Sequence, residues 1–102
     1  MNFEWGVSKA DSNQQKHGIT FEEAKTIWGD PLVYVTSDPD HSQQEDRYLS
    51  IGNSDRGRLL IVAHTFRSGD VNRIINARKL TSQERRDHER RIIDHLRNQA
   101  GG

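Results

Sequence analysis

Apolar positions recur along this chain in two rhythms, helical at both ends and alternating in the middle. Near residues 8–17 Val7, Ala10, Gln14 and His17 share one face at helical spacing, so a first, weakly amphipathic helix is expected there. Ser8 with Asp11 is a capping pair for its start, and Gly18 stands where a glycine just past the last turn would stop it. Thr20 with Glu23 is a second capping box, opening a short helix through Phe21, Ala24, Ile27 and Trp28 that ends at Gly29-Asp30-Pro31. Beyond that proline the pattern turns β-rich, with strands expected over residues 32–36, 47–51, 58–65 and 71–78. The third is apolar on both sides, Leu59, Ile61 and Ala63 against Leu60, Val62 and His64, so it should be central and covered on both faces. Thr81 with Glu84 then caps a terminal helix whose stripe runs Glu84, His88, Ile92 and Leu96, before a tail at residues 98–102 that should fray.

These elements predict one α+β domain spanning residues 1–102: two N-terminal helices on one face of a four-stranded antiparallel sheet, and a C-terminal helix crossing the other face or an edge. Phe3 and Trp5 are expected to pack against the core or the sheet. With 31% hydrophobic and 29% charged residues the core must be small. The absence of cysteine excludes a disulfide framework and a thiolate metal site. No run of about 18 apolar residues and no signal-like N-terminus are present, which points to a cytoplasmic protein that does not engage a membrane.

Charge changes the picture more than composition does. Residues 1–55 carry four Lys/Arg against ten Asp/Glu and residues 56–102 eleven against five, so a formal net charge of +0 conceals halves of roughly −6 and +6. The basic half either folds back onto the chain's own acids or offers a surface to nucleic acid or an acidic partner. Its centre is the run from Val71 to Arg91, where a strand bearing Arg73 and Arg78 feeds a helix bearing Arg85, Arg86, Arg90 and Arg91, a cradle suited to phosphate oxygens.

Proton transfer near neutral pH selects imidazoles, here His17, His64 and His88, with Glu45 as a further acid if burial raises it. Arg73, Arg78 and Arg47 suit stabilisation of charge on phosphate, with Lys16 in support. Each has an ordinary explanation too. Lys16 and His17 suit the negative end of a helix dipole, a histidine on an apolar stripe such as His88 packs more often than it reacts, and the arginines can pair with acids. Arg73 and Arg78 have opposite parity, so in a regular strand they leave opposite faces, and only a bulge or the strand end brings both to one phosphate. Asp38, Asp40 and His41 in one polar loop are too little for a metal site.

The order Trp5, Asn13, Lys16-His17-Gly18, Phe21-Glu22-Glu23-Ala24, Gly29-Asp30-Pro31, Glu45-Asp46-Arg47, Ile51-Gly52, Gly57-Arg58 and Arg73-Ile74-Ile75-Asn76-Ala77-Arg78 with Glu84-Arg85 resembles the BrnT family of type II toxin ribonucleases. The resemblance covers residues 3–91. It implies a RelE-like fold, cleavage of RNA that arrests growth, no cofactor, and neutralisation by a BrnA-type antitoxin through which the chain reaches operator DNA only indirectly. Carried onto this sequence with the chemistry above, it makes His17, Arg73, Arg78 and His88 the catalytic candidates and Lys16, Arg47, Glu45 and Arg85 the substrate-binding ones. Two positions depart from the family pattern: Gly6, where an acid is usual, and His88, where tyrosine is common. The competing readings are a non-catalytic module of the same fold that grips RNA or an acidic protein, and a decayed toxin kept for complex formation.

Overall fold

The computed structural model describes residues 1–40 and 46–101. In chain order it has β1 (Asn2–Glu4), α1 (Val7–His17), α2 (Phe21–Ala24) continuing as a 3₁₀ turn (Lys25–Gly29), β2 (Tyr34–Ser37), β3 (Arg47–Asn53), β4 (Leu59–Phe66), β5 (Val71–Lys79) and α3 (Ser82–Gly101). The strands form one sheet in the order β1-β5-β4-β3-β2. The α+β class stands, but the sheet has five strands and is not wholly antiparallel, because β1 pairs with the start of β5 in parallel. Three residues are too few to show alternation, so β1 could not be seen in the pattern. The second N-terminal helix is a single α-turn that tightens, helped by Thr26, whose hydroxyl donates back to the Glu23 carbonyl at 2.6 Å.

Local signals mark most helix ends. Gly18 takes the left-handed conformation at φ 70° and its N–H closes on Gln14 O, as a C-terminal glycine should. The Thr81–Glu84 box is reciprocal: Glu84 N–H donates to Thr81 Oγ1 at 3.2 Å and Thr81 N–H to Glu84 Oε1 at 2.9 Å. The start of α1 differs from expectation, since Gly6 precedes it and no side chain caps it, so Ser8 and Asp11 lie inside the helix. β2 begins at Tyr34, later than its sequence predicts, because Asp30 bends the chain after the turn: its carboxylate accepts from Leu32 N–H at 2.9 Å and from Asn53 N–H at 2.8 Å.

The N-terminal helices close one face of the sheet over Ile19, Phe21, Ala24, Ile27, Leu60, Val62, Ile74 and Ala77, with Trp5 edge-on to Phe21 at 5.9 Å. Each large member contributes about 1.5–3 kcal/mol of burial, and Phe21→Ala should cost about 3–5 kcal/mol. Gly52 lies against the 3₁₀ turn so closely that a Cβ would meet Ile27 O at 3.1 Å. Beside it the buried Glu23 carboxylate is gripped by both arms of Arg58 and by the Ser54 hydroxyl at 2.7 Å, tying α2 to the β3–β4 hairpin. The opposite face carries a smaller cluster, Ile51, Leu59 and Ile61 with Leu49 and Leu80. α3 leaves the end of β5 there and crosses toward β2, where the Arg91 guanidinium stacks on the Tyr34 ring at 4.4 Å.

One irregularity decides which side chains share a face. Across β4 and β5, Ala63 pairs with Asn76 but His64 pairs with Ile74, which leaves Ile75 as an extra, unpaired residue. Asn72, Ile74 and Ala77 therefore all turn inward to the helix side and are buried. Arg73, Asn76 and Arg78, opposite Thr65, Ala63 and Ile61, all turn outward.

Candidate active site

The bulge at Ile75 removes the parity conflict between Arg73 and Arg78 and sets them on one face of β5. Register carries the pattern across the sheet. Glu4, Arg73, Thr65 and Arg47 form one cross-strand row, and at about 4.8 Å per strand the two arginines flank the buried Thr65 from either side. Arg73 Nη1 lies 3.6 Å from Glu4 Oε2, an ion pair both partners of which remain partly exposed. Arg47 Nε is buried and has no protein partner among the described residues.

Beyond Arg73 the outer edge of β5 has no strand beside it, and α1 lies there instead. Between them runs a groove of about 500 Å³ whose walls include Lys9, Ser12, Lys16 and His17 from the helix and Asn76 and Arg78 from the strand. Lys9 reaches it with Lys16 through Ser12 and with His17 through Asn13, because spacings of three and four residues stack on one helix face. Three of the residues singled out in the sequence, Lys16, His17 and Arg78, thus line one concavity. Arg78 donates to both oxygens of Glu84, at 2.7 and 2.9 Å, and to the Lys79 carbonyl at 3.2 Å. The guanidinium beside it, with the Thr81 N–H, pulls the Glu84 carboxyl down to about 2, while Glu84 raises Arg78 above its ordinary value.

His88 is not brought to this groove. It is 2% exposed and packs near residues 31–34 at the β2 edge, across the sheet from β5, with Arg91 Nη2 at 3.4 Å from its Nδ1. Burial and the charge of Arg91 push it below the ordinary histidine value, against a smaller pull upward from Asp30. His64 is fully buried on the helix side. Its Nδ1–H donates to Asn72 Oδ1 at 2.9 Å, leaving Nε2 to accept from the Ser50 hydroxyl at 2.6 Å, and Trp28 stands edge-on at 4.9 Å. Burial pushes His64 down to about 4, so it is a neutral member of the core. Arg85 is exposed on the first turns of α3 and does not line the groove. Glu45 and His41 lie outside the described residues.

Sequence reading missed Lys9, Ser12 and Asn76, which only the docking of α1 on β5 brings in, and the pairing of Arg78 with Glu84, which follows from the capping box once β5 runs straight into α3. The charge asymmetry is answered in part within the chain, by Glu4 on Arg73 and Glu23 on Arg58. Among the described residues no helix is long and apolar enough to cross a membrane.

A five-stranded sheet with cationic side chains on β5, faced by the Lys-His end of a helix, defines a compact α+β protein. A crystal structure of the ribonuclease toxin BrnT from Brucella abortus shares this fold, with a TM-score of 0.64 at 19% identity over 80% of this chain and 99% of that one. No curated protein matches the sequence significantly. The model of the family described as "Ribonuclease toxin, BrnT, of type II toxin-antitoxin system" matches residues 5–84, and the chain belongs to that family. It is thereby a ribonuclease toxin of a type II toxin–antitoxin system, which implies an RNA substrate and an antitoxin partner.

Proposed function

We propose that this chain is an endoribonuclease that cleaves RNA without a metal ion, by attack of a 2′-hydroxyl on the adjacent phosphate, and that a BrnA-type antitoxin neutralises it and alone contacts the operator DNA. The cytoplasm is where this chemistry would operate. The observation that carries the reading is the convergence of Lys16, His17 and Arg78 on one groove, with Arg73 turned to the same face of β5 by the bulge.

That reaction needs a proton taken from the 2′-oxygen, charge held on the phosphorane, and a proton given to the 5′-oxygen. His17, exposed at the groove wall, exchanges protons. Arg78 presents the hydrogens that Glu84 and the Lys79 carbonyl do not occupy, and Arg73 with Arg47 brackets a second phosphate position over Thr65. Lys16 and Lys9 hold the backbone of the strand. His88, buried at the far edge, packs α3 against the body. Arg85 does not line the groove and serves the periphery of a longer RNA.

Induction of this chain alone in a bacterial host should arrest growth and fragment total RNA, and co-expression of its neighbouring reading frame should restore both. Arg73→Ala and His17→Ala should each remove the arrest at unchanged soluble expression. Intact RNA under confirmed expression of the unaltered chain would overturn the reading. The engagement of Arg78 by Glu84 favours a second one, a non-catalytic RNA-binding module, which predicts salt-sensitive binding of RNA with no cleavage products.

A further inference from the structure

We infer that Asn13 is the positioning residue of this site: its buried side chain stands in for a missing strand beside β5 and thereby sets His17 and Lys16 on α1 against Arg78 on β5. The inference rests on the proposed groove being the reactive site, and its geometry stands independently.

β1 pairs with β5 only from Val71 to Arg73, so the outer edge beyond the bulge would otherwise end in unpaired backbone groups. Asn13 meets that edge as a strand would. Ala77 N–H donates to Asn13 Oδ1 at 3.0 Å, and Asn13 Nδ2 donates to Ala77 O at 2.8 Å. Its other amide hydrogen goes to Ile19 O at 2.9 Å, just past the end of α1. Both donor hydrogens and the acceptor of the amide are used, and the residue is 5% exposed. Ala77 lies two residues past Ile75 and immediately before Arg78, so the clamp holds the strand where the bulge has just reset its facing. On α1, Lys16 and His17 lie three and four residues beyond Asn13 on the same helix face. One amide therefore fixes the distance between the two walls of the groove, and all three side chains line it.

Chemistry restricts the position to asparagine. Aspartate is the same size but cannot donate, and places a carboxylate against two carbonyls. Glutamine keeps every donor and acceptor but is one methylene longer, so it moves α1 away from β5 while leaving the bonds satisfiable.

The test uses the purified full chain with a defined RNA under single-turnover conditions, together with NMR signals of the His17 ring and the Arg78 guanidinium. Asn13→Gln and Asn13→Asp should lower the maximal cleavage rate by about 10²-fold with little change in the concentration that gives half of it, because misplacement of about 1 Å is enough. The His17 and Arg78 signals should move. Ser54→Ala, which loosens the Glu23–Arg58 cluster away from the groove, controls for general destabilisation and should keep its rate. Folded Asn13→Gln with the rate of the unaltered chain and unmoved signals would sink the inference. If Asn13→Asp does not fold, Asn13→Gln carries the test. If the unaltered chain cleaves no RNA, the proposed function fails and the signals decide alone: moved in Asn13→Gln they support the placement, unmoved they overturn it.

Discussion

Two arginine–glutamate pairs in this protein have the same fork-on-fork chemistry and opposite uses. Arg58 grips Glu23 where the carboxylate is 4% exposed and the Ser54 hydroxyl completes its shell, so the pair joins α2 to a hairpin and presents little to solvent. Arg78 grips Glu84 where the side chains are 37% and 33% exposed, at the wall of the groove. The first is a fastening; the second holds a guanidinium in a fixed pose with donors left over, which the proposed function assigns to a phosphate. Burial, rather than the identity of the pair, is what distinguishes the two, and under the proposed function it separates structure from reactivity. The histidines repeat the lesson, His64 sealed among Trp28, Ser50 and Asn72, His17 exposed.

The contrast is broken most directly by alanine at one member of each pair. Arg78→Ala should cost at most about 1 kcal/mol of stability, since the pair is about a third exposed and screened, while lowering RNA cleavage by about 10²-fold or more. Glu23→Ala should do the reverse. It strands Ser54 and Arg58, costs about 3 kcal/mol in urea unfolding, and leaves cleavage per folded molecule unchanged. If the two variants lose activity in proportion to stability, the distinction between the pairs is wrong.

His64 sharpens the comparison through pH. Its folded value, about 4, lies below the ordinary 6.5 of the unfolded chain, so the unfolded state binds the proton more readily. The stability it contributes is present above pH 6.5 and is lost as pH falls toward 4, a span worth roughly 3 kcal/mol at most. Urea midpoints at pH 7 and pH 5 should show about 2 kcal/mol of that loss, and His64→Phe should reduce it. A slope of equal size in His64→Phe would assign it to other groups, first to His88, which burial also holds below its ordinary value.

The smallest effect should come from adding a pair. A Cβ at Gly6 would stand 3.6 Å from Arg73 Nη2, in ordinary contact, and Gly6 precedes α1 without a capping side chain. Gly6→Asp should cap the helix, add a few tenths of a kcal/mol, and draw Arg73 into a pair, with a several-fold loss of cleavage at low salt that shrinks as salt rises. Unchanged cleavage with raised stability would place Arg73 outside the reaction.

Much of the scaffold was legible in local chemistry. Thr81 with Glu84 and Gly18 marked helix ends, the doubly apolar run at residues 59–64 marked the central strand, and the order of motifs pointed to the BrnT family that the family model bears out. Several of those motifs prove to be fastenings: Glu23 with Arg58, Asp30 under Asn53, Gly52 against Ile27. The reason they read so well is that caps, turns and alternation act over three or four residues, within reach of a local pattern. What shares a face or a groove is set by pairings tens of residues apart. The parity of Arg73 and Arg78 counted along the chain pointed them apart, and the register of β5 on β4 left Ile75 unpaired and brought them together. His88 lay on a helical stripe like any candidate, and the crossing of α3 buried it at the far edge. Sequence by itself determined the family and most of the elements, though not β1 or the starts of α1 and β2, because those are local or cumulative signals. Tertiary structure alone decided which cations share a groove with His17, because a one-residue change of register turns a side chain from one face of a sheet to the other, and α1 docks on β5 through bonds from Asn13 to Ala77, sixty-four positions away.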